Sequence, residues 1–148
     1  MKIVIIDGQG GRMGKSVIEQ LKNNYPELEL YAIGTNSIAT SAMLKAGAAY
    51  GATGENPVVV NARNADLIVG PIGIVMADSL MGEITAAMAA AVSSSNAYKI
   101  LIPVNRCNHF IAGCKEGSLS DYIRQVCEEV GKRLDFSKKE GITCHENC

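Results

Sequence analysis

Short apolar runs alternate with stretches of helical spacing along most of the chain. Ile3-Val4-Ile5-Ile6 lies in a first strand, Lys2–Ile6, and a helix follows from Arg12 with Met13, Val17, Ile18 and Leu21 on one face. Tyr25-Pro26 ends that helix. A second strand, Leu28–Ile33, stops at Gly34-Thr35-Asn36-Ser37, whose polar residues suit a helix cap. The helix after it carries Ile38, Ala42, Met43 and Ala46 inward and is terminated by Gly47. Ala48–Thr53 reads as a short third strand, and Asn56-Pro57 as an N-cap with a first-turn proline. Val58-Val59-Val60 suits strand or helix, and the nearness of the next strand, Leu67–Val69, favours helix. Gly70-Pro71-Ile72-Gly73 closes that strand. Val75–Val92 then predicts one long helix, with Met76, Leu80, Met81, Ile84, Met88 and Val92 at helical spacing. Lys99–Val104 is another strand, and Phe110–Ala112 a further short one. The last helix opens at Ser118, with Asp121 in a capping-box relation. Its inner face is Leu119, Tyr122, Ile123, Val126, Cys127 and Val130; beyond Leu134 the period is lost.

Strands alternating with helices indicate a parallel sheet covered on both faces. The expected architecture is three-layer α/β and Rossmann-like, with strand order 3-2-1-4-5 and Phe110–Ala112 as an optional extra edge strand. One domain spans residues 1–134, and residues 135–148 form a polar tail expected to be mobile.

Composition narrows the function classes. The 148 residues carry a formal net charge of −1, with acids and bases mixed, no tryptophan and no basic patch interleaved with aromatics. Nucleic acid is therefore not an expected partner. No run approaches the roughly 18 apolar residues of a membrane span, so no membrane partner is expected. The opening apolar run is too short for a signal peptide, because Asp7 and glycines interrupt it. Five cysteines without an export signal point to a reducing, cytoplasmic setting and free thiols.

The first strand runs straight into Asp7-Gly8-Gln9-Gly10-Gly11-Arg12-Met13-Gly14. Such a turn leaves free backbone N–H groups and a positive helix end where a phosphate can sit. The strict G-x-G-x-x-G fingerprint fails at Met13, whereas G-x-x-G-x-x-G is met by Gly8, Gly11 and Gly14. A P-loop is the weaker alternative. Gly14-Lys15-Ser16 matches its end, but the loop counted from Gly8 is one residue too long, and Asp66 opens its strand instead of ending one. A turn that binds nothing is a third reading, in which Asp7 accepts N–H bonds from the turn.

The expected ligand is a dinucleotide, with Gly8, Gly10, Gly11 and Gly14 at the pyrophosphate and Thr35, Asn36 and Ser37 at the adenosine ribose. NAD-specific sites place an acid about 20 residues on. Here that position is Gly34–Ser37, so NADP(H) is expected before NAD(H), with Lys45 and Arg12 as helpers and a smaller phosphate ligand left open.

In an open parallel sheet, ligands bind beyond the carboxyl ends of the strands. That brings Gly70, Pro71, Ile72 and Gly73 to the site, and with them Asn105-Arg106-Cys107-Asn108-His109. Arg106 would grip a carboxylate or phosphate, and Cys107 or His109 could do nucleophilic or acid–base work. Asn105, Arg106 and Cys107 are the candidate catalytic residues of a small reductase. Gly51–Asn56 is a second glycine-rich loop with an equally plain reading as a turn. Glu83 is expected to reach solvent or a partner subunit. Cys144-His145-Glu146-Asn147-Cys148 has no recognised zinc spacing, so no metal is expected.

The string Gly8-Gln9-Gly10-Gly11-Arg12-Met13-Gly14 is similar to the cofactor turn of dihydrodipicolinate reductases, which implies NADH or NADPH binding, although no counterpart of their substrate domain is present. Across Met1 to about Val130, longer strings resemble a family of short bacterial proteins defined by a domain of unknown function (DUF3842). They include Ile-Asp-Gly-Gln-Gly-Gly, Gly-Ala-Thr-Gly-Glu-Asn, Val-Gly-Pro-Ile-Gly-Ile and Ile-Pro-Val-Asn-Arg-Cys-Asn. That resemblance implies organisation and no activity. Because a dinucleotide domain alone lacks a substrate wall, a homodimer built on Val75–Val92 is expected. The rival from another class is a non-catalytic sensor or partner subunit for a nucleotide or small anion.

Overall fold

A computed structural model describes residues 1–103, 109–114 and 117–143, with side chains to Ser137. In chain order the elements are β1 (Ile3–Asp7), α1 (Arg12–Asn24), β2 (Leu30–Gly34), α2 (Ser37–Lys45), β3 (Tyr50–Thr53) and α3 (Glu55–Arg63). They continue with β4 (Leu67–Pro71), a 3-10 turn (Ile72–Val75), α4 (Ala86–Ser94), β5 (Tyr98–Ile102) and α5 (Leu119–Thr143). The five strands are all parallel in the order β3-β2-β1-β4-β5, a three-layer Rossmann-like α/β fold.

β1 lies at the centre, flanked on both edges and covered on both faces, so it reads as an unbroken apolar run. Ile5 aligns with Ala32 of β2 on one side and Val69 of β4 on the other. Its odd positions, Ile3 and Ile5, pack with Val17, Ile18 and Leu21 of α1, Met43 of α2, and Val126 and Val130 of α5. Its even positions, Val4 and Ile6, pack with Val58 of α3 and Met88 and Val92 of α4. This alternation follows from the two-residue period of a strand. The strand order reverses between β1 and β4, which opens a crevice at their carboxyl ends.

Several expectations are corrected. Val75–Val92 is not one helix: a 3-10 turn and an irregular loop come first, and α4 begins only at Ala86, capped by the Thr85 hydroxyl accepting from Met88 N–H at 3.1 Å. Asp78, Leu80 and Met81 have φ of 63°, 54° and 58°, and Gly82 has 88°, which no helix accommodates. Met81 is almost wholly exposed. α3 starts at Glu55 behind Gly54, so Asn56-Pro57 falls inside its first turn, where the N–H that proline lacks would have no helical acceptor. Ile38 faces outward, and Ala39 and Thr40 are buried in its place. No strand forms at Phe110–Ala112, where the chain bends through Gly113 at φ 80°. Leu119 is exposed at the start of α5, and the helix continues past Leu134 to Thr143. The capping box is present: Ser118 N–H donates to Asp121 at 3.1 Å, and Asp121 N–H donates to the Ser118 hydroxyl at 3.2 Å. Among the described residues, no helix is long and apolar enough to cross a membrane.

Candidate functional site

The crevice at the switch point is a cleft of about 350 Å³, lined by Asp7–Met13, Pro71, Leu80, Ile102, Pro103, Leu119 and Tyr122. The glycine turn forms its floor. Gly11 has φ 68°, and a Cβ there would stand 2.6 Å from the Ala39 Cα, so this glycine serves the backbone. Gly14 is pressed between Met43 and the Asp7 Cβ. Gly8 is hemmed in by Thr35 Oγ1 and Glu83 Oε2, at 2.7 and 2.8 Å from an added Cβ. Gly10 differs. It is exposed, its φ is not positive, and a Cβ built on it would meet no atom within 4 Å.

Two carboxylates hold the turn. Asp7 is 5% exposed and accepts from Gly8 N–H at 2.8 Å and Gly14 N–H at 2.7 Å. Burial pushes its pKa above the ordinary value; those amide bonds pull it back only in part, and the nearby Glu83 charge adds to the rise. Gly11 N–H donates to the Gly8 carbonyl at 2.9 Å. The N–H groups of Gly10 and Arg12 remain without an acceptor among the described residues. They stand at the positive end of α1, next to the open side of Gly10, a place that favours an anion. Arg12 is the one cation among the described lining residues.

Glu83 is the site residue that sequence reasoning missed. It comes from the loop before α4, crosses above the β2 end, and accepts from Gln9 N–H at 2.9 Å, from Asn36 Nδ2 at 3.0 Å and from the Thr35 hydroxyl. Desolvation raises its pKa, but the bonds from Thr35, Gln9 and Asn36 outweigh that and hold it below the usual carboxylate range. Asp78, Leu80 and Met81 in that loop are left-handed, a conformation that costs about 1–3 kcal/mol for a residue such as Leu80 or Met81. The available signal was the turn-forming Asp78-Ser79 and Gly82 inside an otherwise helical period.

The expected site residues separate accordingly. Asp7 to Met13 line the cleft, and Gly14 lies beneath it. Thr35 and Asn36 stand beside it but turn to Glu83, while Asn36 also caps α2 by accepting from Ala39 N–H at 2.9 Å. Ser37 lines a separate depression with Lys15, Ile38 and Lys45, outside the cleft. There Lys15 pairs with Glu19 at 3.7 Å. Of the β4 group, Pro71 reaches the cleft; Gly70 packs against the Ile6 carbonyl and Gly73 against Ser79, and Ile72 opens the 3-10 turn. Asn105, Arg106 and Cys107 lie outside the described residues, as does the Cys144–Cys148 cluster. Among the described residues no group of three or more His, Cys, Asp or Glu is placed to hold a metal.

A family model described as "Domain of unknown function (DUF3842)" matches residues 2–135. The chain belongs to the DUF3842 family. Comparison of this DUF3842 protein with curated proteins and with solved structures gives no match. The matched region takes in the whole sheet, the glycine turn and Glu83.

Proposed function

We propose that this DUF3842 protein binds a nicotinamide dinucleotide, NADP(H) or NAD(H), across the carboxyl edge of the sheet with its pyrophosphate at Gly10–Arg12. The observation that carries this is Gly10, a glycine for which neither backbone conformation nor packing has a use. A ligand lying close against the backbone does have one. The free N–H groups of Gly10 and Arg12 support the same placement, as does the resemblance of the turn to that of dihydrodipicolinate reductases.

A thermal-shift titration with NADPH, NADH and Mg·ATP, in wild type and Gly10→Val, tests the reading. At a ligand concentration of 100 Kd the expected stabilisation is about 2.7 kcal/mol, or roughly 5–10 °C for a chain of this size. That rise should be lost in Gly10→Val, whose unliganded Tm stays near wild type. No rise with either dinucleotide would overturn the reading.

A non-catalytic, ligand-responsive role has one observation of its own. Among the described lining residues only Asp7, Arg12 and Tyr122 ionise, and both oxygens of Asp7 are already engaged by amides. A dinucleotide-dependent reductase would draw its chemistry from Asn105, Arg106 and Cys107, so turnover sensitive to those residues separates the two.

A further inference from the structure

Glu83 meets its partners with one oxygen only. Gln9 N–H, the Thr35 hydroxyl and Asn36 Nδ2 all donate to Oε2, and Oε1 has no hydrogen-bond partner among the described residues. The carboxylate thus stands at the adjoining ends of β1 and β2, rigidly held and with a full acceptor to offer. That is the side on which the adenosine half of a dinucleotide extends from the pyrophosphate.

We propose that Glu83 Oε1 accepts the adenosine ribose hydroxyls and makes this a site for NAD(H) in preference to NADP(H). The inference rests on the dinucleotide reading of the cleft. Thr35 and Asn36, expected to hold the ribose themselves, donate to Glu83, Asn36 donating also to the Gln9 carbonyl at 2.9 Å, and act as positioning residues. A vicinal diol offers two O–H donors and needs an acceptor. A 2′-phosphate offers only negative charge and would face an ionised carboxylate. The expectation of NADP(H) rested on the absence of an acid in the β2–α2 loop; Glu83 supplies that acid from the loop between the 3-10 turn and α4. Gly8 belongs to the same device, since any side chain there would collide with Glu83 and Thr35.

Equilibrium titrations with NADH and NADPH test it. Wild type should bind NADH about tenfold or more tightly than NADPH, the scale of one charge-assisted bond gained against one like-charge contact. Glu83→Gln keeps a carbonyl oxygen for the three donors and presents an amide NH2 in place of Oε1. Its selectivity should fall by about tenfold or reverse, with circular dichroism showing a folded chain. Should that variant not fold, Glu83→Asp, its charge withdrawn by one methylene, should lose selectivity in the same sense. Wild type binding NADPH as tightly as NADH would overturn the proposal. So would Glu83→Gln tightening both equally, since Glu83 would then be a plug that any ligand displaces. Selectivity unchanged by Glu83 removes this inference alone; no binding of either dinucleotide to wild type removes the dinucleotide reading and this inference with it.

Discussion

Replacing Gly11 with alanine should break the glycine turn, whereas the same change one residue earlier should leave the fold intact. At φ 68° and ψ 16° the Gly11 backbone is left-handed, which costs an alanine about 1–2 kcal/mol. The new methyl would also stand 2.6 Å from the Ala39 Cα and 2.9 Å from its carbonyl oxygen. Both are backbone atoms of α2 and cannot rotate aside, so overpacking adds about 1–3 kcal/mol. The two effects give roughly 2–5 kcal/mol, or a Tm lowered by roughly 4–20 °C in a chain of this length. Gly10→Ala meets no atom and needs no unusual φ, so its effect should lie within about 0.5 kcal/mol or be slightly stabilising. Urea unfolding followed by far-UV circular dichroism measures both. A Gly11→Ala protein as stable as wild type, or a Gly10→Ala protein destabilised by about 2 kcal/mol, would refute the assignment of Gly11 to the fold and Gly10 to the ligand. The same numbers make Gly11 a poor place for a binding control, because losing the fold would pass for losing the site.

The Glu83 carboxyl lies below its ordinary value of 4.5, so its stabilising contribution is full above that pH and is lost as pH falls through the lowered value. The stability gap between wild type and Glu83→Gln in urea should therefore narrow from pH 6 toward pH 3 (roughly the span of carboxylate titration); a gap that widens contradicts the sign. Asn36→Ala removes both the α2 cap and a donor to Glu83, and should cost about 1–2 kcal/mol, against a smaller loss in Asn36→Ser, which keeps a capping oxygen without setting a second carboxylate beside Glu83; equal losses would deny the cap its role. Burial pushes the Cys127 thiol up to about 11, so in the native protein it should resist a thiol reagent that labels exposed Cys114 at mildly alkaline pH. Equal labelling rates would show that α5 does not seal it. If the protein is a reductase, Arg106→Ala and Cys107→Ala should abolish turnover while dinucleotide binding persists. Turnover unaffected by either would remove Arg106 and Cys107 from the chemistry.

The sheet was largely legible because most strand runs stop at a glycine or at a residue that caps the next helix, as at Gly8 after β1 and at Gly34 and Asn36 after β2. The stretch from Met76 to Val92 misled for a physical reason. Its apolar residues do recur at helical spacing, yet Leu80 lines the cleft, Ile84 is buried and Met81 is exposed, because left-handed turns re-aim the backbone between them. Periodicity reports side-chain character and is blind to the sign of φ. Glu83 was hidden by the same error, since on a continuous helix it would point to solvent. Its partners lie 47 to 74 residues away in the chain, a separation that no local pattern encodes. Ile38 failed differently: at the first turn of α2 the tight approach of Gly11 to Ala39 fixes which face turns inward.

The central position of β1 has a consequence for biosynthesis. Ile3 to Ile6 are wholly inaccessible in the folded chain, yet they leave the ribosome before either strand that will flank them. β2 follows soon, but β4 arrives about 60 residues later, or roughly 3–12 seconds at ordinary elongation rates. Throughout that interval an uncharged, β-prone segment has one edge without a mate, the condition under which nascent chains associate with one another. Heterologous expression should benefit more from a solubilising partner placed ahead of Met1, present while that edge waits, than from one appended after the last strand has already docked.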